Sequence, residues 1–426
     1  MLVWAYQIAD TMLDLMKLAR QMQGISQHLS QEAAAAQERV ATARRLLAIA
    51  ALRQPDLVAQ ANTWGDRAPF TAAQPTEPLT TRTPIAAAPE AHTVIATDGS
   101  QISPSHHEIA YCYLINTGRV VLHYGQSRFP LLDSLPEVVY RAEDLYLSRQ
   151  WGISTEEWMG HRRTVAEAVV LAELGEAVQE SLTSENSVGN SGGGPVPVLA
   201  LVDGSLIYWF LEALPGEARD RILPPILDSW ERLRRQGIPL VGYLSASRSG
   251  EAMNFLRFAA CPFPAPDCQT HCGSDRDSGG DERSRADRAP CGRFLPLRDA
   301  TFWATELAPG ERSPFWRSTA SILDLYGDHR VYFCYLNVGP EVARVEVPHW
   351  VMENAALCEM ALSMVLTQVQ KGYGYPVTLA EAHNQAVVKG GDRTRFFALL
   401  EQEMIRAGLK NVGTSYKEAR KRGSIA

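Results

Sequence analysis

Two short marks, Asp98-Gly99-Ser100 and Asp203-Gly204-Ser205, constrain this chain more than any other feature, because each closes an apolar run with the character of a buried strand. The first run is Thr93-Val94-Ile95-Ala96-Thr97; the second is Val196-Pro197-Val198-Leu199-Ala200-Leu201-Val202. A carboxylate at the end of a buried strand is costly unless its charge is compensated, and a divalent cation does that well. The glycine that follows lets the chain turn sharply and leaves room for close approach to the backbone. One Asp-Gly-Ser would be an ordinary turn. Two of them, each after a strand-like run, suggest paired strand-end aspartates of the kind that two-metal phosphodiester chemistry uses.

The remaining pattern is that of an α/β chain. Residues 1–55 contain one glycine and no proline before Pro55, and Ile8, Met12, Leu15 and Met16 recur at helical spacing, with a second, Ala-rich helix over 32–51. We read 1–64 as a helical segment that caps the fold or forms a dimer contact, the capping role being preferred. The Pro-, Thr- and Ala-rich stretch 65–92 reads as a linker. Strands are expected at 93–97, 108–116 and 119–124, the last two as a hairpin around Asn116-Thr117-Gly118. A helix over 156–182, a Ser/Asn/Gly insertion at 184–194, a helix over 217–236 and a strand at 239–244 follow. A loose Asp/Arg/Gly-rich segment at 273–293 precedes a strand pair at 330–336 and 342–347. Helices near 353–371, 378–388 and 394–408 come before a basic tail, 410–426. This order fits a central mixed sheet with helices on both faces, over a main domain of 93–409.

Composition narrows the reading further. The chain has 426 residues, 46% hydrophobic and 21% charged, enough for one large domain with insertions or for two. A net charge of -7 does not advertise nucleic-acid binding by the whole molecule, although a local groove and a metal site can carry such a contact. No uncharged apolar stretch is long enough to span a bilayer, and the N-terminus, interrupted by Asp10 and Asp14, lacks signal-peptide character. Seven cysteines, four of them clustered, fit a reducing cytoplasm. The cluster is Cys261-x6-Cys268-x3-Cys272-x18-Cys291 with His271 alongside, an insertion loop over 261–293. It reads as a structural zinc or iron–sulfur site or as a variable loop with incidental thiols, since its spacing matches neither a zinc ribbon nor a ferredoxin run. Cys112, Cys334 and Cys358 lie in regular runs and read as buried apolar residues.

Two further places bear on binding. Arg344 and Glu346 alternate with Val345 and Val347 on one strand, so they share a face, as an internal ion pair or toward a DNA channel. Ser245-Ala246-Ser247-Arg248-Ser249-Gly250 precedes a helix beginning near Glu251, where backbone N–H groups and Arg248 either bind a DNA phosphate or form a hydroxyl-rich cap. No Walker-type phosphate loop is present, so the chain is not expected to hydrolyse ATP by that route; a sugar-kinase-like reading of the Asp-Gly-Ser pair is disfavoured.

Four segments taken together carry a family resemblance: Thr97-Asp98-Gly99-Ser100-Gln101, Leu201-Val202-Asp203-Gly204-Ser205-Leu206, Arg344-Val345-Glu346-Val347-Pro348, and Tyr375-Pro376-Val377-Thr378-Leu379-Ala380-Glu381-Ala382-His383. In this order, over about 93–395, the chain resembles NurA-domain nucleases, the partners of the HerA translocase in DNA end processing. The resemblance implies a ribonuclease-H-like central mixed sheet and a cytoplasmic, homodimeric, metal-dependent deoxyribonuclease. That enzyme would be a 5'-3' exonuclease and single-strand endonuclease working with a hexameric HerA-like ATPase, its cofactor Mn2+ or Mg2+. It implies catalytic roles for Asp98, Asp203, Tyr375 and His383, and for a glutamate on the helix before the second aspartate strand. Glu167, Glu173 and Glu176 all qualify; Glu167 is preferred because Arg163 precedes it in an Arg-x-x-x-Glu arrangement. Asp98, Glu167, Asp203 and His383 are then the metal ligands, with Arg248 and Arg344 as DNA contacts. From the residues alone, His383 is an ordinary helix histidine and Tyr375 a turn aromatic before Pro376. A reading from a different class is a DNA-end binding scaffold that keeps the fold without cleaving.

Overall fold

The computed structural model describes residues 15–104, 111–189, 195–272 and 289–408. The expectations placed on 1–14, 108–110, 190–194, 273–288 and the tail 410–426 lie outside the described residues. The chain divides into two units, one formed by 1–73, 78–80 and 249–302, the other by 74–77, 81–248 and 303–426.

The second unit is built on a mixed sheet flanked by helices, the architecture expected. Its strands are β1 (Gln74–Pro75), β2 (Thr83–Pro84), β3 (His92–Ile102), β4 (Tyr113–Tyr124), β5 (Leu131–Val139), β6 (Val198–Asp203), β7 (Leu240–Leu244), β8 (Glu311–Arg312), β9 (Trp316–Arg317), β10 (Val331–Asn337) and β11 (Val342–Pro348). The main path runs β1-β9-β10-β11-β7-β6-β3-β4-β5. β3, β4 and β5 form an antiparallel meander; β3 pairs in parallel with β6, and β6 with β7; β11 returns antiparallel to β7 and β10. The parallel strands are near-continuous apolar runs because helices cover both faces: Val94, Ile95, Ala96, Leu199, Ala200, Leu201, Leu240 and Val241 are all buried.

Alternation along β3 assigns those faces. Thr97 Oγ1 donates to the Glu167 carbonyl at 2.9 Å, and Gly99 faces Arg163 and Glu167, so these odd positions look toward the Thr155–Gly189 helix. Asp98 looks the other way, toward His383 on the Val377–Ala386 helix.

Three local expectations are corrected. Asn116-Thr117-Gly118 does not turn; it sits inside β4, which runs unbroken from Tyr113 to Tyr124. Its polar and glycine residues serve packing instead. Asn116 Nδ2 donates to the Ala386 carbonyl at 2.8 Å, the Ser100 hydroxyl donates to the same oxygen, and a Cβ at Gly118 would stand 2.5 Å from both Ala382 O and Ala386 N. The Val377–Ala386 helix therefore lies directly on bare backbone. Next, Asp98 does not end its strand: β3 continues to Ile102, paired only with β4 beyond Ala96. Finally, β5 lies where no strand is expected, since Asp133, Pro136 and Glu137 disguise an edge strand whose residues are mostly exposed.

The other unit contains the helices Leu15–Leu52, Gln54–Trp64 and Glu251–Ala260. Ala43, Leu47, Ala50, Leu57 and Ala61 are buried there together with Met253, Phe255 and Leu256.

The contact at Gly118 yields a prediction. Gly118→Ala must push a helix backbone, which cannot rotate aside, and is expected to cost about 1–3 kcal/mol. Gly160→Ala, in the Thr155–Gly189 helix with nothing within 4 Å of its Cβ position, should instead add about 0.5–1 kcal/mol. Urea unfolding of both variants beside the wild type reads the opposite signs.

Candidate active site

The register of β3 and β6 brings the two aspartates together. Thr93 pairs with Val198 and Ala96 with Leu201, an offset of 105 (198 − 93), and the same offset carries Asp98 to Asp203 (203 − 98). They occupy equivalent positions on neighbouring parallel strands, about 4.8 Å being the usual spacing between such strands. Pairing between β3 and β6 stops at Ala96 and Leu201, while β3 stays with β4 and Asp203 pairs with Tyr243 of β7. Both carboxylates thus stand where the two strands part, at the carboxyl ends of the parallel pair, the usual place for a site in such a sheet.

The two Asp-Gly-Ser glycines do different work there. Gly204 has φ +111° and makes the turn after β6. Gly99 lies in an extended strand; a Cβ there would overlap Glu167 Oε1 and come within 2.5 Å of Arg163 Cγ, so its bareness admits Glu167 to the site. Asp98, Glu167 and Asp203 line one cavity of about 20 Å³ with Thr97, Thr164 and Tyr208. Arg163 Nε lies 3.4 Å from Glu167 Oε1, the pairing expected from the i, i+4 spacing. The other candidates stand apart: Glu176 forms a two-pronged ion pair with Arg232 at 2.9 and 2.6 Å, and Glu173 is exposed.

From the opposite side, His383 Nδ1 lies 2.8 Å from Asp98 Oδ2, and the imidazole is 65% exposed. Tyr375 stands beside Asp203, whose carboxyl its hydroxyl lowers against the upward push of burial, and meets Tyr243 edge-on at 5.7 Å. The structure therefore gathers all five residues singled out for catalysis in one place.

The electrostatics express crowding of like charge. Burial pushes the Glu167 carboxyl up to about 8, reinforced by Asp98 and Asp203 and opposed by Arg163. Asp203 is raised by burial and by Asp98, against the Tyr375 hydrogen bond and His383. The Tyr375 phenol is pushed up by burial and by Asp203. A divalent cation would relieve the burial and crowding that raise Glu167 and Asp203, and the hard oxygens of these two carboxylates and Asp98 suit Mg2+ or Mn2+. Among the described residues no group of three or more His, Cys, Asp or Glu adopts ligating geometry.

Two DNA-contact expectations meet obstacles. Arg344 is 2% exposed and pairs with Glu346 at 2.7 Å over the face of Phe333, which is the internal ion pair rather than a DNA surface. The start of the Glu251–Ala260 helix is capped by buried Asp299, which accepts from Ala252 N at 3.0 Å and Met253 N at 2.8 Å, so a carboxylate already fills the place proposed for a phosphate. Arg248 is exposed.

What the residue pattern did not reveal is the brace behind Asp203. Glu346 Oε2 accepts from Ser205 Oγ at 2.9 Å and Leu206 N at 2.7 Å, pinning the second Asp-Gly-Ser turn from β11 while Oε1 holds Arg344. Its only sequence signal was a charged pair alternating with valines on an otherwise apolar strand.

Comparisons with known proteins place this site in a family. The family model described as the NurA domain matches residues 92–388, well over half of the chain. No curated protein sequence matches. Among solved structures, the NurA nuclease from Sulfolobus solfataricus is similar at 12% identity, over 76% of this chain and 88% of that one, with a TM-score of 0.41, too loose a likeness to carry an argument.

The charges make two predictions. A carboxyl raised in the folded state is protonated in both states below about pH 4.5 and ionised only in the unfolded chain between there and about pH 8, so wild-type stability falls across that window. Metal-free Glu167→Gln lacks this penalty, and its advantage should grow from near zero at about pH 4.5 to at most about 5 kcal/mol above pH 8, read by urea unfolding in chelator. Glu346→Ala strips Arg344 of its buried partner and frees the Ser205 turn; it should destabilise by about 3–5 kcal/mol, and Glu346→Gln by less, in the same assay.

Proposed function

The chain belongs to the NurA domain family, and from that premise we propose that it is a manganese-dependent deoxyribonuclease that processes DNA ends. Family membership implies a nuclease, DNA as its substrate and a divalent metal. The observation that most supports the reading for this chain is the in-register pair Asp98 and Asp203 with Glu167 in the same cavity. The antiparallel meander joined to parallel strands supports the ribonuclease-H-like description of the sheet.

Asp98, Glu167, Asp203 and His383 are the residues to hold the metal. When bound, the divalent cation supplies an activated water and offsets the charge that develops on the scissile phosphate. Arg163 keeps Glu167 turned into the site, where its carboxylate would serve the cation as a ligand. Tyr375 fixes the orientation of the Asp203 carboxylate through its hydroxyl, and its ring edge offers a phosphate or base contact. With Nδ1 held by Asp98, His383 keeps Nε2 toward solvent, where it either joins the metal's ligands or carries a proton to the leaving oxygen. Exposed Arg248 is the remaining candidate for a backbone phosphate contact. Processive digestion with 5'-3' polarity, single-strand endonuclease action, a homodimer and a separate hexameric HerA-like ATPase complete the proposal. The absence of a Walker motif in the sequence supports an external motor.

The test is degradation of end-labelled single- and double-stranded DNA with Mn2+ or Mg2+. Asp98→Ala and Asp203→Ala should each lower the rate about a hundredfold or more while DNA still binds. Undiminished processing by both variants would leave the scaffold reading. Because the metal must displace the proton that Glu167 retains, metal affinity by calorimetry should rise as pH approaches about 8.

A further inference from the structure

We infer that Cys261, Cys268, Cys272 and Cys291 together bind one structural Zn2+ ion. This site lies in the unit of the N-terminal helices and residues 249–302, and its argument is independent of the nuclease reading.

The four thiols come from separate pieces of chain. Cys261 caps the C-terminus of the Glu251–Ala260 helix, Cys268 and Cys272 bracket one helical turn, and Cys291 sits in the Pro290–Gly292 turn. All four line a single cavity. Burial raises the thiols of Cys261, Cys268 and Cys272, and the nearby Cys291 raises each further. All are free, so no disulfide accounts for their convergence. Among the described residues the four thiols are not drawn into ligating geometry, and Cys272 is exposed.

The surroundings are built to hold these positions. Asp267 accepts from Thr270 N at 3.2 Å and Thr270 Oγ1 at 2.6 Å, and pairs with Arg67 at 2.8 Å, fixing the turn that carries Cys268 and Cys272. His271 stacks on Phe263 at 4.1 Å beside the same cavity, and the four sulfurs complete a tetrahedral set without it. Between Cys261 and Cys272 only Pro266 and Asp267 are buried, so this segment has almost no apolar core of its own to order it. Metal ligation is the usual substitute for such a core.

Donor chemistry and charge select the ion. Four thiolates around a single ion are the donor set of a tetrahedral structural zinc. Such a site carries two net negative charges, and Arg257, 4% exposed with Nη2 3.8 Å from Cys291 Sγ, places a guanidinium beside them. Phe70 packs under that guanidinium at 3.7 Å and holds it there.

The experiment is elemental analysis of the purified full-length chain after dialysis against a chelator, with zinc-edge X-ray absorption on the same sample. The expected result is one zinc per chain with four sulfur neighbours at about 2.3 Å. Cys268→Ser and Cys291→Ser should lose the zinc, whereas Asp203→Ala should keep it, which separates this ion from any metal at the nuclease site. The absorption spectrum of the wild type stands even where a serine variant fails to fold. Protein without zinc whose four thiols react freely in the native state overturns the inference. So do iron with sulfide in place of zinc, disulfide-linked pairs on mass analysis, or a zinc ion with oxygen and nitrogen neighbours.

Discussion

Mutual repulsion among three carboxylates at the parting of two parallel strands is the constraint around which this site is organised. Asp98, Asp203 and Glu167 surround one small cavity and raise the proton affinity of Glu167 by burial and charge. Left to itself, such a cluster destabilises the folded state, so the chain must hold its members in place by means other than their own attraction. Each is fixed by a different neighbour: Asp98 by His383, Asp203 by Tyr375, and Glu167 by Arg163. Two of these neighbours come from the C-terminal region, far along the chain from the strands they serve, so the site completes itself only when the whole sheet unit has formed.

Backbone proximity, more than side-chain chemistry, sets the spacing. Gly99 admits Glu167 from one face of the sheet, and Gly118, directly opposite Asp98 across the β3–β4 ladder, admits the His383 helix from the other. Asn116 and Ser100 then tether that helix at the Ala386 carbonyl. A methyl group at Gly99 would collide with Glu167 Oε1 itself, and one at Gly118 with the backbone of the helix that carries His383. Behind Asp203, the buried pair Arg344 and Glu346 acts as a brace whose worth lies in orientation: a buried ion pair adds little net stability, but its loss leaves the Ser205 turn and a guanidinium unmatched.

The sequence carried the site more faithfully than it carried the strand boundaries. Asp98 and Asp203 were legible because a charge that ends an apolar run violates the local pattern twice, and such violations concentrate at functional positions. Glu167 stood out from Glu173 and Glu176 only through an Arg-x-x-x-Glu arrangement that resembles the family's. Asn116-Thr117-Gly118 misled because turn propensity reports what a backbone tolerates, and the same glycine serves equally for close packing inside a strand. β5 was hidden because an edge strand is protected by the residues that argue against a strand. Arg344 exemplifies a different limit: alternation gave its face correctly, but which face is buried depends on β7 and β10, and no local window contains them.

The duplicated tripeptide finally separates chemistry from conformation. In both copies the aspartate stands two residues beyond the last residue of its strand in the β3–β6 pairing, Ala96 in β3 and Leu201 in β6. The glycines differ: at 204 the chain needs a positive φ to leave β6, while at 99 it remains extended and needs empty space. The serines diverge as well, Ser205 binding the Glu346 brace and Ser100 the end of the His383 helix. One sequence pattern thus satisfies two unlike backbones because aspartate, glycine and serine are each small enough to suit both. The two marks are alike for unlike reasons: space is short at 99, whereas at 204 nothing lies within 4 Å and the demand is the positive φ alone.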